Sequence, residues 1–178
     1  MRLLAISGSL RRASINTAAL EALAKIAASE FVVEIYRGLA ALPAFNPDDD
    51  EEGRVAPESV RELRDAVAAA DGLVIAAPEY AHGVPGALKN ALDWLVASEA
   101  FAGKPLMLVN CAPRAFHAQS ALRETLATMA ARLIPEAFIT LPLGGAPITP
   151  EAIADDPGLS DRLRQGLSIL WSATRDSR

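Results

Sequence analysis

Short apolar runs without polar alternation recur along this chain, separated by longer stretches in which apolar residues return every three or four positions. Leu3-Leu4-Ala5-Ile6, Leu73-Val74-Ile75-Ala76-Ala77 and Leu106-Met107-Leu108-Val109 are of the first kind. Such runs read as strands buried on both faces, the state of central strands in a parallel sheet covered by helices. Two further runs carry a polar residue, Glu34 within 31–36 and Thr140 within 137–141. Both are expected near the sheet edges, where one side meets water. The intervening segments place Leu20, Leu23, Ala24 and Ala27 on one helical face, and likewise Leu63, Val67 and Ala70. The same spacing groups Leu88, Leu92, Leu95 and Val96, then Leu122, Leu126, Met129 and Leu133, then Leu163, Leu167, Leu170 and Trp171. Strand followed by helix, five times over, predicts an α/β three-layer sandwich, with a five-stranded parallel sheet of order 2-1-3-4-5 between two helix layers. At 178 residues the whole chain, 1–178, is expected to form one domain.

Composition narrows the chemistry without changing that picture. A hydrophobic content of 51% with 22% charge belongs to a globular protein with a packed core. Apolar stretches end after five or six residues, well short of the roughly 20 that a helix needs to cross a bilayer, so no membrane span is expected. The formal charge of -5 repels a phosphate backbone, and no basic patch offsets it, so nucleic acid is not an expected partner. Cys111 is the single cysteine, which forbids an internal disulfide, and residues 1–10 lack the apolar run and cleavage site of a secretory signal. Both features point to a reducing, cytoplasmic setting. The acidic segment 46–53 reads as a solvated connection after the second strand or as a flap beside the site; it lacks the alternating Asp spacing and distal Glu of a calcium loop.

In an open parallel sheet the ligand crevice lies beyond the carboxyl ends of the strands, where the winding direction reverses. That rule selects residues 7–15, 78–86 and 112–117. The first loop, Ser7-Gly8-Ser9-Leu10-Arg11-Arg12-Ala13-Ser14-Ile15-Asn16, sets hydroxyls, guanidinium groups and small residues just ahead of a helix. Helix N-terminal amides attract an anion, Ser9 and Ser14 can donate to it, and Arg11 can form a charge-assisted fork, so this is chemistry for a phosphate. The plain alternative is that Ser14 or Asn16 merely caps the helix. A dinucleotide fingerprint from Gly8 needs glycines where Leu10 and Ala13 stand, and a Walker loop needs an absent Gly-Lys-Ser/Thr. A phosphatase of this topology needs a Cys nucleophile here, and none is present. A mononucleotide is preferred. The second loop, Pro78-Glu79-Tyr80-Ala81-His82-Gly83-Val84-Pro85-Gly86, is stiffened by prolines and opened by glycines, which suits backbone groups held against a flat heterocycle. Plain readings make Tyr80 a boundary aromatic, His82 a solvated loop residue and Lys89 with Asp93 a surface pair at i, i+4.

Gly8-Ser9-Leu10-Arg11 followed by Ser14-x-Asn16, with Pro78-Glu79-Tyr80 and then Pro85-Gly86-Ala87-Leu88-Lys89-Asn90-Ala91-Leu92-Asp93-Trp94, resembles the NADPH-dependent FMN reductase family, which includes flavodoxin-like quinone, chromate and azo-dye reductases. The resemblance implies a flavodoxin-like fold, FMN as cofactor, NAD(P)H as hydride donor and a small acceptor such as a quinone. It implies that Ser9, Arg11, Ser14 and Asn16, with Ile15 between the last two, surround the FMN phosphate. Pro78, Glu79, Tyr80 and the backbone that follows, Ala81, His82 and Gly83, would line the isoalloxazine, and Ala112, Pro113 and Arg114 would complete the pocket. A homodimer or homotetramer with the pocket near the subunit contact is implied as well. Two departures stand out: many relatives have Asn where this chain has Ala81, and the third loop lacks their glycines.

A flavin carries hydride chemistry itself, so no catalytic acid–base pair is expected of the protein. One exposed ring face, used first by nicotinamide and then by the acceptor, predicts ping-pong kinetics, and Arg114 or third-loop amides would offset charge at the ring. A carrier that binds FMN without turnover keeps every motif. An enzyme using Cys111 as nucleophile and His117 as base is disfavoured, since a cysteine ending an apolar run acts mostly as a small hydrophobe. His82, His117 and Cys111 show no metal-ligand spacing, so no metal is expected. Arg12, Arg37 and Arg114 are each free to meet the 2′-phosphate of NADPH.

Overall fold

The computed structural model describes residues 1–51, 53–114, 116–144 and 146–175. The sheet contains β1 (Arg2–Ser7), β2 (Val32–Tyr36), β3 (Gly72–Ala76), β4 (Pro105–Asn110), β5 (Arg132–Leu133) and β6 (Ile139–Thr140). Its order is β2-β1-β3-β4-β5, β6 also pairs with β4, and every pairing is parallel. The helices are α1 (Ile15–Ile26), α2 (Glu58–Ala69), α3 (Gly86–Leu95), α4 (Phe116–Thr128), α5 (Pro150–Asp155) and α6 (Pro157–Arg175). Successive strand residues feed two cores: Leu4, Ile6, Leu73, Ile75, Leu106 and Leu108 pack with α2, α3 and α4. Leu3, Ala5, Val74, Ala76, Met107 and Val109 pack with α1, α5 and α6 on the opposite face. This double burial is why the three central runs carry no polar position, and each fully buried Leu or Ile contributes roughly 1.5–3 kcal/mol. No helix among the described residues is long and apolar enough to cross a membrane.

The outer lane of the sheet departs from expectation. The spacing predicts a helix stripe reaching Leu133 and one strand over 137–141; instead α4 stops at Thr128, and Ala130 turns left-handed at φ +56. The lane then splits into two two-residue strands around a 3-10 turn at Pro135–Ala137. Leu133 is therefore a strand residue and Ala137 a turn residue. Pro135 is the physical cause, since it has no N–H to give a ladder and its fixed φ suits the turn. The lane remains an edge, with Thr140 exposed, as Glu34 is on β2. Val96, placed by its spacing on the buried stripe, is the C-cap of α3 and 64% exposed. The short α5, capped by Thr149, is a separate helix that no apolar periodicity in the sequence marks.

The segment after β2 is anchored rather than free. Its backbone at Phe45 donates to Asn90 Oδ1 (2.8 Å), and Pro43 O accepts from both Asn90 Nδ2 and Trp94 Nε1 at 2.9 Å. Asp50 pairs with Arg64 at 2.7 Å, and Arg64 also donates to Trp94 O. The polar members of the α3 block thus clamp a neighbouring loop, and 47–50 is a 3-10 turn tied to α2 and α3. Glu52 lies outside the described residues.

Packing is close where α6 crosses β4 and the broken lane. A Cβ on Gly166 would stand 2.7 Å from Met107 Cε and 3.1 Å from both Ala137 O and Ile139 Cγ2. Gly166→Ala is therefore expected to lower stability by about 1–3 kcal/mol in urea unfolding, even though alanine is the better helix former by about 1 kcal/mol. An unchanged or higher midpoint would show that the approach is looser than described.

Candidate functional site

The loop leaving β1 is tied back at its root. Gly8 N donates to Ala76 O (2.8 Å), and a Cβ at Gly8 would meet Leu88 Cδ2 at 3.0 Å and Ala77 Cβ at 3.2 Å. A side chain at this position would make Leu88 and the end of β3 give way by a few tenths of an ångström, so glycine suits the close approach. Ser7 Oγ accepts from Thr17 Oγ1 (2.8 Å) and from Ser9 N (3.4 Å), while Ser9 Oγ accepts from Arg11 N (3.3 Å). Ser14 is the N-cap of α1: its Oγ accepts from Thr17 N at 3.2 Å, and its carbonyl accepts from Ala18 N at 2.9 Å. The capping alternative therefore holds for Ser14, yet its hydroxyl proton stays available to a second acceptor. The amides of Ile15 and Asn16 have no acceptor among the described residues. Asn16 is only 3% exposed, and its Oδ1 has no hydrogen-bond partner. A buried amide oxygen left unpaired costs about 1–3 kcal/mol, so native chains keep few of them without a ligand or water to fill the role.

The second loop closes on itself. Tyr80 N donates to Gly83 O (3.2 Å), Gly83 N donates to Tyr80 O (2.9 Å), and Ala81 (φ +48) and His82 (φ +59) are both left-handed. Two consecutive left-handed residues in a two-residue turn define type I′, which favours Asn-Gly. An Asn at position 81 would suit this backbone, and Ala81 sits there under strain of about 1 kcal/mol. Side-chain contacts hold the turn in place. The His82 ring stacks on His117 with centroids 4.3 Å apart, His117 in turn lies 4.0 Å from the Phe116 ring, and Glu79 Oε2 accepts from Ala118 N at 2.9 Å. Glu79 therefore caps the first turn of α4, a role that no local pattern signals. In the third loop Asn110 Oδ1 accepts from Ala112 N (3.0 Å), and Ala115 lies outside the described residues.

A cleft of about 280 Å3 lies where the three loops meet, lined by Ile15, Asn16, Pro78, Glu79, Ala112 and Arg114. Ser9, Arg11 and Ser14 belong to the loop on its α1 side but do not line it, and Tyr80, Ala81, His82, Gly83 and Pro113 lie outside that lining set. A larger cavity of about 800 Å3 sits at the amino ends of the strands, between Met1, Asp71, Pro105 and Trp171. The unclaimed amides and the unpaired Asn16 oxygen gather at the smaller one, which makes it the candidate site. Cys111 is 1% exposed, and burial pushes its thiol up to about 12, so it cannot serve as a nucleophile at neutral pH. No group of three or more metal-ligating side chains occurs among the described residues.

Ala81→Asn is expected to raise stability by about 0.5–1 kcal/mol in urea unfolding, because Asn tolerates the left-handed region; a loss would show that the turn is not strained. The native Cys111 thiol should resist a thiol reagent at pH 8 and react at once in denaturant. Because its folded pKa lies above the unfolded one, the stability it contributes is complete below about pH 9 and is lost as pH rises toward 12. Fast labelling of native protein would contradict its burial.

The NADPH-dependent FMN reductase family model matches residues 1–144. The chain is 36% identical over 147 residues to the NADH:(hydroxy)cinnamate reductase subunit CrdA of Vibrio ruber, covering 79% of this chain and 71% of that one. It is 35% identical over 176 residues to a quinone reductase of Pseudomonas putida, covering 93% of this chain and 88% of the other. In fold it is similar to FerB, a flavoenzyme NAD(P)H:(acceptor) oxidoreductase from Paracoccus denitrificans, at a TM-score of 0.77 and 23% identity over 95% of this chain and 94% of that one. With its sheet order, its three loops and this match over most of its length, the chain belongs to the NADPH-dependent FMN reductase family.

Proposed function

We propose that the chain works as one FMN-binding domain that passes electrons from NADH or NADPH to a flat, conjugated acceptor such as a quinone. One observation carries the fit of FMN: the buried Asn16 side chain has an unpaired oxygen and lines the same cleft onto which two unclaimed α1 amides open. A ribityl hydroxyl can donate to that oxygen, or a half-turn of the amide can offer its NH2 to a phosphate. The α1 amides, the hydroxyls of Ser9 and Ser14 and the exposed guanidinium of Arg11 would hold the phosphate, which gains from the helix dipole. Pro78 to Gly83, with Ala112, Pro113 and Arg114, would border the ring. FMN bound there supplies the two-electron centre that takes hydride from a nicotinamide and delivers it to the acceptor.

The chain's own tasks are then positioning and charge. Arg114 brings a fixed positive charge to the cleft wall, which favours negative charge beside it. Glu79 is held by the Ala118 amide, so its carboxylate keeps the second and third loops in register instead of moving protons. The exposed rings of Tyr80 and Phe116, at 55% and 61% exposure, stand on the second loop and at the start of α4, where they suit a flat acceptor. Leu10 on the first loop is exposed as well, and apolar side chains left in water on all three loop segments support a homodimer or homotetramer whose contact lies near the pocket. Several relatives carry acceptors of this kind in their names, among them the quinone reductase and a 2-hydroxy-1,4-benzoquinone reductase of a Burkholderia species. A reducing cytoplasm suits the single buried thiol.

Purified protein is expected to be yellow and to bleach with NADH or NADPH, and initial rates at varied donor and acceptor should give parallel double-reciprocal lines. Yellow protein that neither nucleotide bleaches would mark a carrier. Arg11→Ala should weaken FMN binding to the apoprotein by about 1.5–3 kcal/mol in a flavin-fluorescence titration, the scale of a charge-assisted bond. Unchanged affinity would remove Arg11 from the site.

A further inference from the structure

The first turn of α1 borders two clefts. Ile15 and Asn16 line the one described above, whereas Ser14, Thr17 and Glu21 line a second of about 380 Å3, closed on its far side by the segment leading into α5. The walls of the second cleft differ in chemistry. One is apolar, made of Pro147, Ile148 and Pro150, and the other carries the guanidinium groups of Arg12 and Arg37. Arg37 follows β2 directly and pairs with Glu21 at 2.7 Å, while Arg12 has no ion pair among the described residues. Two cations against one carboxylate leave a net positive charge. The neighbouring Lys25 and Glu151 neutralise each other at 2.6 Å and do not alter that balance. Of the three arginines that sequence leaves open for a 2′-phosphate, Arg114 lies in the FMN cleft, so the second cleft gathers the other two.

An apolar wall facing two guanidiniums suits a planar base that carries a phosphate ester, and arginine forks grip phosphate bidentately. We propose that this cleft receives the adenosine end of NADPH, that Arg12 and Arg37 read its 2′-phosphate, and that Glu21, paired with Arg37, sets how freely Arg37 does so. This rests on the NAD(P)H-dependent reading above and deepens it: the chain discriminates NADPH from NADH here, one helix turn away from the flavin cleft. Curated relatives include both an NADH reductase and an NAD(P)H-dependent FMN reductase, so the choice is made chain by chain. Glu21 tempers it by competing with the phosphate for Arg37.

Calorimetric titration of the FMN-loaded protein with 2′,5′-ADP, 3′,5′-ADP and 5′-AMP tests the site without turnover. The 2′,5′-ADP is expected to bind at least about tenfold tighter than either other probe, and Arg12→Ala or Arg37→Ala should each remove about tenfold of that advantage. In steady-state assays the same variants should raise KM for NADPH about tenfold while KM for NADH and kcat hold, and Glu21→Gln should shift preference toward NADPH. Equal binding of 2′,5′-ADP and 5′-AMP, equal binding of 3′,5′-ADP, or an unchanged NADPH preference in both arginine variants overturns the assignment. Both arginines are exposed, so their loss leaves the fold intact. Should the protein oxidise neither nucleotide, the reductase reading fails, and the 2′,5′-ADP titration still decides the cleft.

Discussion

β1, β3 and β4 have no side that meets water, and most of the molecule follows from satisfying that condition. Their backbone groups pair within the parallel ladder, and their side chains alternate between two apolar cores, so polar chemistry is confined to the points where the strands end. At the carboxyl ends the chain must leave the sheet and enter a helix. Loops there expose helix N-terminal amides and are short of backbone partners, which opens a crevice suited to an anionic, planar ligand.

The three loops at that end brace one another. Gly8 is hydrogen-bonded to Ala76 at the end of β3, Glu79 reaches from the second loop to the first turn of α4, and the His82 and His117 rings stack across the same gap. The bracing tolerates two left-handed non-glycine residues at the tip of the second loop and leaves an unpaired polar atom on Asn16. Both are departures from what stability alone would select, and both fall beside the crevice, although Ala130 and the buried Tyr36 hydroxyl show the same features elsewhere.

The α1 terminus serves two clefts because helix side chains fan out around the axis. Ile15 and Asn16 line one cleft, Thr17 and Glu21 the other, and the N-cap Ser14 stands at the start of the same turn. On the assignments proposed above, one turn of helix would contact both the cofactor and the distal end of its reductant, and the loop proposed for the first phosphate would contribute an arginine toward the second.

Periodicity alone marks the three central strand runs, the main faces of α1, α2, α3 and α6 and the three loops in which to seek a site, since each depends on residues a few positions apart, and the two runs that carry a polar residue agree with the edges of a 2-1-3-4-5 order. Two motif blocks add the family. Tertiary structure alone decides the rest. Pro135 splits the outer lane, which an apolar count over 137–141 does not reveal. Glu79 finds its partner 39 positions away. Asn90 and Trp94, motif residues in the sequence, turn out to clamp the chain at Pro43. Ala81 discloses its strain, and Arg12 joins Arg37 while Arg114 does not, only once distant segments are packed side by side. Local spacing encodes which face a residue takes, whereas its partner depends on which other segment arrives there.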